Sequence, residues 1–310
     1  MAHYAVGSLI REARERQKYS QEELCYGICT PSTLSRIENG VQAPGKRILE
    51  SLMQRLGIVD RVYNSYLSRE EMERYETQEK LTRCLARKEY GKAEEVVRIL
   101  EEKLQKSSRK DYSLKLEEQY VCFARALICK NRGESEAHIL ERLLAAIRMT
   151  LPDFDGVHIR ARLLTFHEIS ILNNIGCAYH AMGKLWPALQ LLFGLKEYIE
   201  EHTVGGQELS VKYLMILQNL SSWMGQAGHY KEALELCQTG IDFCVEYGKL
   251  HAFPMLLCNK ACALAELGQF DVSKESFYQS IALFKAMSQH ERAEQIRKYA
   301  ETHYGISCCQ

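Results

Sequence analysis

Proline is scarce, with five in 310 residues. Long helices can therefore run unbroken, and the 46% apolar content argues against a disordered chain. Charge of one sign is also missing: 40 Lys and Arg balance 40 Asp and Glu. That excludes a strongly electrostatic, sequence-blind binder of polyanions, which would be basic. No apolar run approaches the ~18 residues of a membrane helix, so no membrane partner is expected. The first apolar residues are interrupted by charges, so no secretory leader is expected and the location should be cytosolic. Catalytic signatures are absent too: no Gly-rich phosphate loop, no Gly-x-Ser-x-Gly, no His-Glu-x-x-His. Carboxylates are spread over solvated helix faces. The expectation is a non-enzyme without a cofactor.

Cysteine, in contrast, is plentiful, at 12 residues. Cys25/Cys29 and Cys258/Cys262 are i, i+4 pairs, and Cys308 and Cys309 stand near the end of the chain. None of these has the paired spacing of a zinc site. Most fall on apolar faces, where a thiol behaves as a small hydrophobe. No metal is expected.

Residues 20–40 carry the densest signal. Ser20 with Glu23 forms a capping box, and Thr30 followed by Pro31 opens a second helix nearby. Leu24, Ile28, Leu34 and Ile37 supply apolar faces, and Asn39-Gly40 stops the second helix. A tight turn between two short helices is a helix-turn-helix, whose second helix can enter a DNA major groove. Val6, Leu9, Ile10 and Ala13 form a stripe on a preceding helix, with Arg11, Arg14, Arg16 and Lys18 on its other faces. After Pro44, Ile48, Leu49, Leu52, Met53 and Leu56 recur at helical spacing up to Gly57. The first sixty residues hold eight Lys/Arg against seven Asp/Glu, about +1, so one head should bind weakly and a dimer is implied.

The run Ser-Gln-Glu-Glu-Leu, then Ser-x-Ile-Glu-x-Gly and Pro44, resembles the lambda-repressor-like (XRE-type) helix-turn-helix family. The short turn at Gly27-Ile28-Cys29 is most similar to the branch in bacterial peptide-pheromone receptors of the Rgg, PlcR and PrgX kind. The resemblance implies that Gln21, Ser32, Thr33 and Arg36 approach base edges or phosphates of a double-stranded operator. Pro31 opens that helix, and Ser35 and Asn39 would hold backbone or phosphate. Arg36 could instead pair with a neighbouring Glu.

From about residue 70 the chain repeats itself. Asn174-Ile-Gly176 leads to Gly183 and Ala188, Asn219-Leu-Ser221 to Gly228 and Ala233, and Asn259-Lys-Ala261 to Gly268 and Ser273. Gly fits the turn ending each first helix, the Leu or aromatic two residues later packs between helices, and small residues allow close crossing. The frame resembles the tetratricopeptide repeat, with a period longer than the usual ~34 residues. Weaker copies surround Lys88-Glu89-Tyr90 and Gly133, giving about five helix pairs. Ser288 with Glu291 would open a last, polar-faced helix, the cap that a solenoid needs. The expected architecture is all-α: a helix-turn-helix domain over 1–58, a linker helix over 59–70, a TPR-like α-solenoid over 71–304, and a tail over 305–310. Val59, Val62, Tyr63, Tyr66 and Leu67 give the linker helix packing residues.

Asn174, Asn219 and Asn259 share one position on the first helices, which line the inner face of such an array. An amide offers both a donor and an acceptor, the pair that holds an extended peptide backbone. Asn173, Gln218, Ser222, Met215 and Met255 fall on the same face. A purely structural amide network is the alternative. Lys212, His167, Arg162 and His180 could attract a ligand carboxylate, and Glu266 an amine. The resemblance implies a homodimeric transcription regulator whose solenoid senses a short signalling peptide. Alternatively the solenoid binds a protein partner, or only dimerises.

Overall fold

The structure, a computed structural model, describes residues 2–58, 69–106, 112–159, 163–202 and 207–307. Among the described residues it is all-α, with fifteen helices and no strand. Of the expected linker helix over 59–70, residues 59–68 lie outside the described residues, as do Arg162 and the C-terminal cysteine pair, and residues 69–70 open the next helix. Two compact units divide the chain, Met1–Gly194 and Leu195–Gln310.

The first unit begins with four short helices: α1 (Ala2–Arg16), α2 (Gln21–Cys25), α3 (Pro31–Glu38) and α4 (Lys46–Arg55). The capping box forms as the sequence requires. Ser20 Oγ accepts from Glu23 N at 3.1 Å, and Glu23 Oε2 accepts from Ser20 N at 2.7 Å. Thr30 caps α3, with Pro31 at its first position, and Gly40 ends it in the left-handed region (φ 71°). Ile10, Leu24, Ile28, Leu34, Ile37 and Leu52 are buried in one core, against which Val6 and Leu9 pack. Cys25 and Cys29 belong to it as small apolar groups.

Next come α5 (Arg69–Ala86), α6 (Tyr90–Lys106), α7 (Tyr112–Asn131), α8 (Glu136–Arg148) and α9 (Phe166–Ala181), then α10 (Leu185–Glu201), whose residues from 195 on belong to the second unit. From α5 to α9 each helix packs on the next in sequence. The glycine of the repeat frame is replaced in the first pair by Lys88, which takes the same left-handed backbone (φ 59°). The head does not stand apart from these helices. Leu116 of α7 and Leu163, just before α9, lie in the head's own core, and α4 packs on α7.

The second unit contains α11 (Gln207–Gln226), α12 (Tyr230–Glu246), α13 (Phe253–Glu266), α14 (Phe270–Ala286) and α15 (His290–Tyr304). Gly228 and Gly268 end the first helix of each pair with φ of 82° and 75°. Ala233 and Ser273 are buried, and Ser273 Oγ donates to the Ala261 carbonyl at 2.7 Å, so α13 and α14 cross closely. Two expectations need correcting. Phe270, the first residue of α14, does not pack between helices and is 54% exposed. Ser288 does not cap α15: it adopts a left-handed backbone (φ 58°) that ends the preceding turn, and Gln289 precedes the helix without a side-chain cap. Ala293, Ile296 and Ala300 face the core cluster, while Glu291, Glu294 and Lys298 are exposed, as a terminal helix requires.

Candidate functional site

In α3 the helical phase separates an anchoring face from an open one. Leu34, Ile37 and Glu38 are buried. Pro31, Ser32, Arg36 and Asn39 are exposed, with Thr33 and Ser35 half-buried. Some polar groups on this open side are already engaged locally. Thr30 Oγ1 and Thr33 Oγ1 lie 2.8 Å apart, and Asn39 Nδ2 donates to the Ser35 carbonyl at 2.9 Å. Ser32 and the Arg36 guanidinium project from the helix between these local bonds, so they are the groups best presented to a partner.

A buried ionic network fixes the orientation of α3. Arg14 was expected on an outer face of α1; it is instead buried, because Ile10 and Arg14 are one turn apart on the side that meets α3. Its Nε donates to Glu38 Oε1 at 2.7 Å and its Nη2 to Glu38 Oε2 at 3.0 Å, a bidentate pair. The hydrogen bond to Glu38 holds the Arg14 guanidinium above its ordinary range. Gln21 Nε2 adds a third donor to Glu38 Oε2, at 2.7 Å. Three helices thus converge on one carboxylate, and the Gln21 amide is turned inward at the start of α2. Sequence reasoning misses this network, because Arg14 and Glu38 lie 24 residues apart.

Residues 10–63 match the helix-turn-helix family model. The chain carries a helix-turn-helix domain over these residues. Several solved proteins share its fold over most of its length. One is PlcR from Bacillus thuringiensis in complex with the peptide PapR7 and DNA, at TM-score 0.58 and 16% identity, covering 94% of this chain and 99% of that one. Another is the competence regulator ComR from Streptococcus vestibularis in its apo form, at TM-score 0.52 and 15% identity, covering 97% and 98%. The pheromone receptor Rgg2 from Streptococcus dysgalactiae, solved as a cysteine-to-serine variant, matches at TM-score 0.51 and 12% identity, covering 96% and 99%. At these identities the likeness is one of fold. No curated protein matches the sequence.

The repeat amides are less uniform than their register suggests. On α9, Asn173 is buried, whereas Asn174 is half-buried and donates to the Ser170 carbonyl of its own helix at 2.9 Å. In the second unit, Asn219, Gln218 and Ser222 are half-buried on α11, and Met215 is 43% exposed. Asn259 on α13 spends its amide donors between helices, on Ser221 Oγ at 2.9 Å and the Gln218 carbonyl at 3.0 Å. Met255 packs against the cluster around Phe277. Nearby Cys237 is fully buried, and burial pushes its thiol up to about 12. Among the described residues no group of three or more His, Cys, Asp or Glu could hold a metal, and no helix is long and apolar enough to cross a membrane.

Proposed function

We propose that the chain is a cytoplasmic, homodimeric transcription regulator that reads a double-stranded operator with α3 and senses a short signalling peptide with its repeats. The observation that carries the DNA half is the open face of α3, where Ser32 and Arg36 stand exposed while Arg14, Gln21 and Glu38 hold the helix in place. Ser32, Thr33 and Arg36 contact bases or phosphates. Ser35 and Asn39, bonded to one another, present a fixed polar edge to the backbone, with Pro31 at the helix start and Gln21 steadying it. The near-neutral head calls for two copies on one duplex.

Peptide sensing is supported by the fold shared with PlcR, a protein solved with both a peptide and DNA, and by the half-buried amides of α9 and α11. Asn173 and Asn174 in the first unit, and Gln218, Asn219, Asn259 and Ser222 in the second, offer amides and a hydroxyl suited to a peptide backbone, and Met215 and Met255 offer apolar contacts. The repeat domain in this proposal spans 71–304, the head 1–58, the connection 59–70, and the tail 305–310. One observation favours a second reading: the amide donors of Asn259 are bonded between repeats, as in a structural network serving a protein-binding or dimerising solenoid. Calorimetric titration with short peptides encoded beside the gene separates the two. Saturable binding that weakens about tenfold in Asn174→Ala supports peptide sensing. Absence of heat with every such peptide, while DNA binding persists, supports the second reading.

A further inference from the structure

Arg55, in the last turn of α4, and Glu168, in the first turn of α9, form an ion pair with both side chains 0% exposed. The guanidinium faces two ways. Its Nη1 donates to the carbonyls of Leu24 at 3.0 Å and Tyr26 at 2.6 Å, at the end of α2 and the turn before α3. Its Nη2 lies 3.6 Å from Glu168 Oε2, the same oxygen that accepts from Thr165 N at 2.6 Å to close the capping box of α9. One side chain therefore joins the turn of the helix-turn-helix to the start of a repeat helix.

Other contacts follow the same seam. Gln54 Oε1 accepts from Phe166 N at 3.1 Å, and Tyr26 Oη donates to Asp153 Oδ2 at 2.8 Å. Gly27, in the left-handed region (φ 69°), lies so close that a Cβ there would stand 2.0 Å from the Thr150 carbonyl oxygen. Arg47 bonds to Gln78 of α5. All of these come from α4 and the α2–α3 turn. Ser32 and Arg36 of α3 remain exposed while the seam is closed.

The pair is not arranged for maximal stability. Arg55 Nε and Nη2 and Glu168 Oε1 are buried without a hydrogen-bond partner. A buried pair with unmet hydrogen bonds adds little over an apolar contact, yet separating its charges in the interior is strongly unfavourable. Such a pair selects which surfaces meet.

We infer that Glu168 is a positioning residue for DNA binding: through Arg55 it clamps the head on the repeats with α3 open, so the operator is bound by the docked head. The inference rests on the DNA-binding function proposed above. Docking masks no outward residue of α3, and it fixes the direction in which each head of a dimer points. Half-site spacing is then set by the clamp.

Hydrogen exchange on the full-length protein tests this, with and without a duplex recovered by selection from a random-sequence library. Residues 24–29 and 163–169 should keep their protection when the duplex binds, while α3 gains it. Increased exchange in both segments on DNA binding would mean that the head is released, and overturns the clamp. Failure of selection to recover any duplex removes the DNA-binding function, and the clamp with it. The variant Glu168→Gln keeps a capping side chain but loses the charge. It should bind a single half-site as the wild type does, and the two-half-site duplex at least tenfold more weakly. Equal loss on both duplexes would mark Glu168 as merely structural. Should this variant fail to fold, exchange on the wild type alone decides.

Discussion

Asn259 Nδ2 donates to Ser221 Oγ at 2.9 Å and to the Gln218 carbonyl at 3.0 Å, so an amide at the repeat's signature position ties α13 to α11. Asn174, at the same position of its own repeat, bonds only within α9. Their alanine variants should therefore behave differently. Asn259→Ala removes two hydrogen bonds between helices, each contributing about 1 kcal/mol, and should lower the melting temperature. Asn174→Ala should leave the melt nearly unchanged. Indistinguishable thermal melts would contradict these assignments.

The Arg14–Glu38 pair gives a second expectation. Arg14→Met strands a carboxylate that is 2% exposed, leaving it only the Gln21 amide. Breaking a buried pair in this way should cost about 3–5 kcal/mol, read by denaturant unfolding of the full-length protein. The double change Arg14→Met with Glu38→Leu should recover much of that loss, since no charge is left in the interior. Equal losses in the single and double variants would show that packing, not charge, holds α1 to α3.

Acid should loosen the turn after α8. Asp155 Oδ1 accepts from Val157 N at 3.0 Å and His158 N at 2.8 Å, and Oδ2 lies 2.9 Å from His158 Nδ1. These bonds, the backbone donors first, hold the Asp155 carboxyl well below the usual aspartate range. A depressed folded value means stability that is fully present above the unfolded value and fades as pH falls through the folded one. Carbon-detected NMR of the Asp155 carboxyl should give a midpoint below that of a model aspartate. A midpoint at the ordinary value would show that the turn does not hold the carboxylate.

Much of the fold was legible because it is written in local chemistry. Ser20 with Glu23, Thr30 with Pro31, and Gly228 and Gly268 each specify a helix end through one or two residues, and each forms as expected. Less legible was anything that depends on which surfaces meet. Arg14 looked like a solvated charge because its partner, Glu38, is 24 residues away. Docking of the head rests on Arg55 and Glu168, of which only Thr165-x-x-Glu168 carried a local signal, as a capping box. The same limit applies to the amides: three asparagines in register share a position, but Asn174 and Asn259 find different partners.

The central claim, sequence-specific DNA recognition by α3, is tested most directly by selecting duplexes from a random library with the full-length protein and with Arg36→Ala. The wild type should enrich a site of two half-sites spaced by about 10 base pairs or a multiple of that. Arg36 is exposed, so its removal should leave the helical circular dichroism unchanged. It should also relax the preference at one base position per half-site, a loss of about 1–3 kcal/mol. No enrichment by the wild type, or the same motif at the same strength from the variant, would contradict the assignment of α3 as the recognition helix.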